Sequence, residues 1–145
     1  MVALDTNLLV YAHRADSPWH QAAYQVIQGF LEGQSPWAVP WSCLHEFLNI
    51  TTHPRVFATP TPAAVSLETV EIWLRDANLT VLAEGPGYFD FLRVVMQEGR
   101  VIGPKVHDAR IAALCLYHGV EELWSADRDF SRFPRLKVRN PLIPS

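Results

Sequence analysis

Residues 1–13, MVALDTNLLVYAH, carry the reading that decides the fold. Val2–Leu4 is apolar throughout, as expected of a short strand covered on both faces in a parallel sheet. The run then delivers Asp5, a residue type seldom buried without a partner. Asp, Thr and Asn at positions 5–7 all cap helices well. Asp5 therefore either caps the helix that follows or is one ligand of something assembled from elsewhere in the chain.

Outward from this stretch, short apolar runs alternate with helical patterns. Trp37–Val39, Thr80–Leu82 and Glu122–Ser125 read as further strands, with a weaker edge at Lys137–Val138. Ser17-Pro18 predicts a helix start, followed by Trp19, Ala22, Val26 and Phe30 at helical spacing. Thr61-Pro62 repeats that signal before Leu67, Val70, Leu74 and Ala77. Phe89, Leu92 and Met96 mark a helix closed by Gly99; Gly103-Pro104 precedes another, which runs to His118 and ends at Gly119. A shorter helix follows Pro40. This alternation predicts an α/β domain with a mostly parallel sheet and right-handed crossovers.

The bulk numbers set limits. The 145 residues, 49% hydrophobic and 19% charged, suit one globular domain with a real core. The longest apolar run, Ile111–Tyr117, falls far short of a membrane span, and no secretory leader is visible. Cys43 and Cys115 make no metal or disulfide pattern, so a reduced, cytoplasmic location is expected. A net charge of −3 argues against a broadly basic nucleic-acid binder, although Arg128, Arg132, Arg135, Lys137 and Arg139 concentrate positive charge near the C-terminus. Neither a P-loop nor a dinucleotide-binding glycine motif is present.

The acids are the informative residues. In open α/β sheets the functional crevice lies beyond the carboxyl ends of the strands. Asp5 follows the first strand and Asp127, in ELWSADRDF, follows the fourth. In KVHDARIAALCLYHG, Asp108 precedes Ile111, Ala112 and Cys115 by three, four and seven residues, which places it on the inward face near a helix start. Glu46, three residues after Cys43 and four before Ile50, also falls on an apolar stripe. Singly, each has a structural account: a cap, a helix edge, a dipole complement, a turn. Together, converging acids would repel by on the order of 4 kcal/mol per close pair at an effective dielectric near 20. A hard divalent cation, Mg²⁺ or Mn²⁺, resolves that conflict, and the ligand types argue against zinc.

The order and spacing of D-T-N-L-L-V-Y, H-E-F, H-D-A-R-I-A-A-L and S-A-D-R-D-F resemble the PIN domain, and more narrowly the VapC-type ribonuclease toxins of type II toxin–antitoxin systems. The closing RDFSRFP…NPL is similar to one subgroup of them. The resemblance implies a PIN-like three-layer α/β/α sandwich with a central sheet of four to five strands, residues 1–145 forming a single PIN domain. It puts the family's acidic quartet on Asp5, Glu46, Asp108 and Asp127, with Asp129 a further acid. Thr6 and Ser125 match hydroxyl residues beside the metal, and Asn7 sits in the first motif.

The implied activity is Mg²⁺- or Mn²⁺-dependent endoribonuclease cleavage by in-line water attack. The implied partners are RNA, a cognate VapB-type antitoxin and a second copy in a homodimer, with no membrane. On that reading Asp5 and Asp108 hold the metal directly, Asp127 and Glu46 complete the shell, and one of the latter two orients water. His107 is then a rim residue. Arg14, Arg55, Lys105, Arg110, Arg128 and Arg132 are candidate RNA-facing cations, and the loop THPRVFATP a candidate substrate or dimer rim. Two other readings stand beside it. One is a catalytically silent, metal-stabilised RNA- or protein-binding domain. The other is an aspartate-nucleophile phosphohydrolase, against which Asn7 occupies the place of the second aspartate.

Overall fold

The computed structural model describes residues 1–144. Five parallel strands form one sheet: β1 (Val2–Leu4), β2 (Trp37–Pro40), β3 (Leu79–Leu82), β4 (Glu122–Trp124) and β5 (Val138–Arg139), in spatial order β3-β2-β1-β4-β5. Ala3 lies opposite Ala38 on one side and Leu123 on the other, so the strand read first in the sequence is the centre of the sheet. Six α-helices connect the strands: α1 (Thr6–His13), α2 (His20–Glu32), α3 (Trp41–Thr51), α4 (Ala63–Leu74), α5 (Tyr88–Gly99) and α6 (Val106–Tyr117).

From β1 the chain steps to β2 and β3 on one side, then returns past β1 to β4 and β5 on the other. Right-handed crossovers put α1 to α4 on one face and, after the reversal, α5 and α6 on the opposite face. The result is the expected α/β/α arrangement. It also makes the β1/β4 boundary the topological switch point, where crevices form in such sheets. The core runs through the sheet, with Leu4, Leu8, Trp37, Phe47, Leu114, Leu123 and Phe130 all nearly or fully buried. Among the described residues no helix is long and apolar enough to cross a membrane.

Several local expectations are corrected. Ser17 does not cap α2; its Oγ accepts the Trp19 N–H in a preceding turn, and the helix begins at His20. Along α4 the buried stripe is Ser66, Val70 and Trp73, whereas Leu67 and Leu74 face solvent. Ser66 tolerates its core position because its hydroxyl pairs with Thr51 Oγ1 at 2.8 Å, as a buried polar group must. Phe89 is likewise exposed, and Val95 is the buried residue of α5. Gly99 ends α5 within the helix, but the left-handed turn falls on Arg100 at φ 51°. Gly99 serves close approach instead: a Cβ there would meet Phe133 Cε1 at 2.9 Å.

Candidate active site

Asp5 both caps α1 and joins a cluster assembled from elsewhere in the chain. Asp5 leaves β1 with its backbone N–H donating to Trp124 O at 3.0 Å, which fixes it at the mouth of the β1/β4 crevice. Its Oδ1 accepts the Thr6 N–H at 2.8 Å, so it does cap α1. Its Oδ2 accepts the Ser125 hydroxyl at 2.7 Å, a contact across 120 residues of sequence. Ser125 Oγ in turn accepts the Asp127 N–H at 2.9 Å, and Asp127 Oδ1 accepts the Asp129 N–H at 2.8 Å. Asn7 braces this corner, its Oδ1 accepting the Ala126 N–H at 3.3 Å. Two strand ends are thereby locked together through one hydroxyl.

The helices bring the other acids. Asp108 stands in the first turn of α6, where the macrodipole favours its ionised form. Asp5, Glu46, Asp108 and Asp127 line one cavity of about 310 Å³, together with Thr6 and Asn7. Asp108, Asp127 and Asp129 each offer an oxygen within 4.8 Å of the others. Asp5 and Glu46 stand outside that trio but share the cavity with two of its members. Lys105 pairs with Asp129 and lies 3.7 Å from Asp108 Oδ2, so one ammonium already answers part of the negative charge.

The electrostatics follow from burial. Loss of water pushes the Asp5 carboxyl up to about 6; hydrogen bonds from Ser125 and Thr6 oppose the rise, and the charges of Glu46 and Asp108 add to it. Desolvation, then Asp127, raises Asp108 as well, against the pull of Lys105. Asp129 is lowered by the Lys105 hydrogen bond, and Lys105 is raised by the same contact. Cys43 Sγ lies 3.8 Å from Asp5 Oδ1, and burial raises its pKa well above the ordinary thiol value. This leaves a neutral thiol packed behind the carboxylate. Four oxygen-rich acids with too little internal positive charge suit a hard cation and offer nothing soft to a thiophilic one.

The PIN domain family model matches residues 2–136. The chain belongs to the PIN domain family. It is 30% identical to Ribonuclease VapC48 of Mycobacterium tuberculosis over 94% of each chain. It is 32% identical to Ribonuclease VapC33 of the same species over 98% of this chain and 99% of that one. Among solved structures it resembles VapBC2 from Rickettsia felis bound to a DNA fragment from its promoter, with a TM-score of 0.68 and 19% identity over 97% of this chain and 98% of that one. At that identity the structural likeness speaks for the fold.

Within this PIN domain the expected residues fare differently. Asp5, Thr6, Asn7, Glu46, Asp108 and Asp127 meet in one cavity, and Ser125 joins them through Asp5. Glu46 is not core-facing as its stripe suggested: Cys43, Leu44, Phe47 and Thr51 fill the buried side of α3. Glu46 is exposed at the cavity mouth, where its Oε2 accepts the Thr6 hydroxyl at 3.1 Å. The THPRVFATP loop does reach the site, but through Val56 and Phe57. Arg14 lies over the Phe57 ring at 3.9 Å, whereas Arg55 is exposed and absent from the cavity wall. Arg128 lines the adjoining cavity, which also contains Asp127. The counter-ion role of Lys105 escaped sequence reading: the residue type signals charge, but nothing signals where a flexible stem points.

Proposed function

We propose that this PIN domain is a divalent-metal-dependent endoribonuclease that hydrolyses RNA phosphodiester bonds. We further propose that it serves as the toxin of a VapBC-type pair in the cytoplasm, as a homodimer checked by a cognate VapB-type antitoxin. The observation that carries the nuclease reading is the convergence of Asp108, Asp127 and Asp129 within 4.8 Å, beside the cavity that also holds Asp5 and Glu46. The relatives called VapC ribonucleases support the toxin assignment. Exposed Phe89, Phe91 and Val94 on α5 favour self-association.

The donor set fits Mg²⁺ or Mn²⁺: carboxylate oxygens throughout, converging on one cavity with, among the described residues, a single nearby ammonium, that of Lys105. Asp5 and Asp108 would hold the cation, with Asp127 and Glu46 completing the shell and Asp129 set beside them. When bound, the cation supplies Lewis-acid stabilisation of phosphoryl charge and makes water a stronger acid. The side chains do the rest. Ser125 and the Thr6 N–H fix both Asp5 oxygens, so that carboxylate cannot rotate toward a substrate as a nucleophile. Glu46, exposed at the mouth and steadied by Thr6, is placed to orient a water and accept its proton. Arg128 borders the adjoining cavity and offers positive charge to the phosphate backbone.

Purified protein with a pool of structured RNA tests the reading. Cleavage should require Mg²⁺ or Mn²⁺, cease with chelator and return on readdition. Metal-dependent RNA binding without cleavage by wild type would overturn it in favour of a silent domain. A covalent aspartyl-phosphate would overturn it in favour of a phosphohydrolase.

A further inference from the structure

A second cavity, of about 440 Å³, adjoins the acid pocket and shares Glu46 and Ile111 with it as a common wall. We propose that this cavity is a subsite for a single RNA base next to the scissile phosphate, and that Asn49 and His45 set the base preference there. The inference rests on the nuclease reading above.

Its volume lies within the range of about 300–1,000 Å³ typical of small-ligand sites. Its wall carries hydrogen-bonding capacity that the protein itself leaves unspent. The Ser42 hydroxyl in the same wall is closed off from solvent and has no hydrogen-bond partner among the described residues. The Asn49 side chain is exposed and, among the described residues, makes no hydrogen bond, so its amide presents both donors and an acceptor. The His45 ring faces the cavity from α3, backed by Trp41 with ring centroids 6.1 Å apart. A neutral amide and an aromatic plane match the edge and face of an unstacked base.

The charges oppose a phosphate at the same place. Arg110 in this wall is already paired with Glu84, and Glu46 contributes negative charge. That balance favours a neutral, planar, polar ligand over an anion at this wall, which His107 also lines. Its position beside Glu46 sets the base immediately next to the acids proposed to act on the phosphodiester.

Cleavage of an RNA library randomised around the cut site, mapped by sequencing, tests this with wild type, N49A, H45A and S42A. Wild type should favour one base at one position adjacent to the cut by roughly tenfold or more, the scale of a single well-formed base contact. N49A and H45A should bring that position close to even while preferences at other positions persist. Both residues are exposed, so the fold should survive. S42A serves as the control: the hydroxyl it removes is closed off from solvent, so the preference should persist, and its loss there would overturn the assignment to Asn49 and His45. An unchanged preference in N49A and H45A would overturn the subsite and leave the nuclease reading intact. The same holds if the variants alter only the affinity for an antitoxin. Absence of cleavage by wild type would overturn both.

Discussion

The two sides of the acid pocket are stabilised by opposite means. On the β1 side Asp5 is 6% exposed, its oxygens tied to Thr6 and Ser125 and a thiol at its back, with no cationic side chain in contact among the described residues. On the α6 side Asp108 and Asp129 are open, with side chains 21% and 46% exposed, and Lys105 stands between them. The first side is rigid and short of positive charge; the second is loosely held and partly neutralised. Cation binding should therefore relieve strain at Asp5 and compete with an ammonium at Asp129.

The largest effect should come from breaking either side outright. Asp5→Asn and Asp108→Asn should each reduce cleavage by about 10³-fold or more, because each removes a charge on which several kcal/mol of transition-state stabilisation depends. Initial rates with saturating Mn²⁺ measure it, and full activity in either folded variant would reject the assignment. The two should differ in stability, with the Asp5 change giving the clearer gain in chelator.

A pH series sharpens that difference. The Asp5 carboxyl has a folded pKa of about 6 against an ordinary 3.8, so the native state binds the extra proton between those values. Stability is unaffected by this group below about pH 4 and falls as pH rises toward 6, by on the order of 3 kcal/mol in all. Denaturation of metal-free protein should show wild type losing stability relative to D5N across that window. Parallel curves would contradict it.

Ser125→Ala removes the hydroxyl that donates to Asp5 and accepts from Asp127. A cost of about 1–3 kcal/mol is expected from the buried groups left unpaired, read by urea denaturation. Lys105→Met should have the smallest effect and the opposite sign for the ligand. Apparent affinity for Mn²⁺ should rise by roughly fivefold, since a competing charge is gone from a partly screened site. Calorimetric titration would show this, and weakened binding would mean that Lys105 supports the metal rather than competing with it.

Much of this was legible in the chain. Val2–Leu4 announced a central strand because an apolar run without alternation has no solvated face. The helical spacing that ties Asp108 to Ile111 holds in that both line the acid cavity, although Asp108 is half-buried and not in the core. The less legible parts depend on tertiary partners. Leu67 and Leu74 lost the buried side of α4 to Ser66 and Trp73 because Thr51 supplied Ser66 a hydrogen bond and Phe47 supplied Trp73 a ring, facts located on another helix. Glu46 sat one position off the stripe assigned to it, since the edge of a helix near a crevice looks like its core face in sequence alone. Ser125 matched a motif, but its place as the link between both strand ends depends on a contact spanning most of the chain.

The spacing between Asp5 and Ser125 also bears on synthesis at the ribosome. Asp5 leaves the ribosome 120 residues ahead of its partner Ser125. At about 5–20 residues per second, several seconds separate the two. During that interval the nascent polypeptide carries an isolated aspartate with no fellow acids from β4 beside it. A cell making this protein thus handles an unarmed chain until β4 threads into place beside β1.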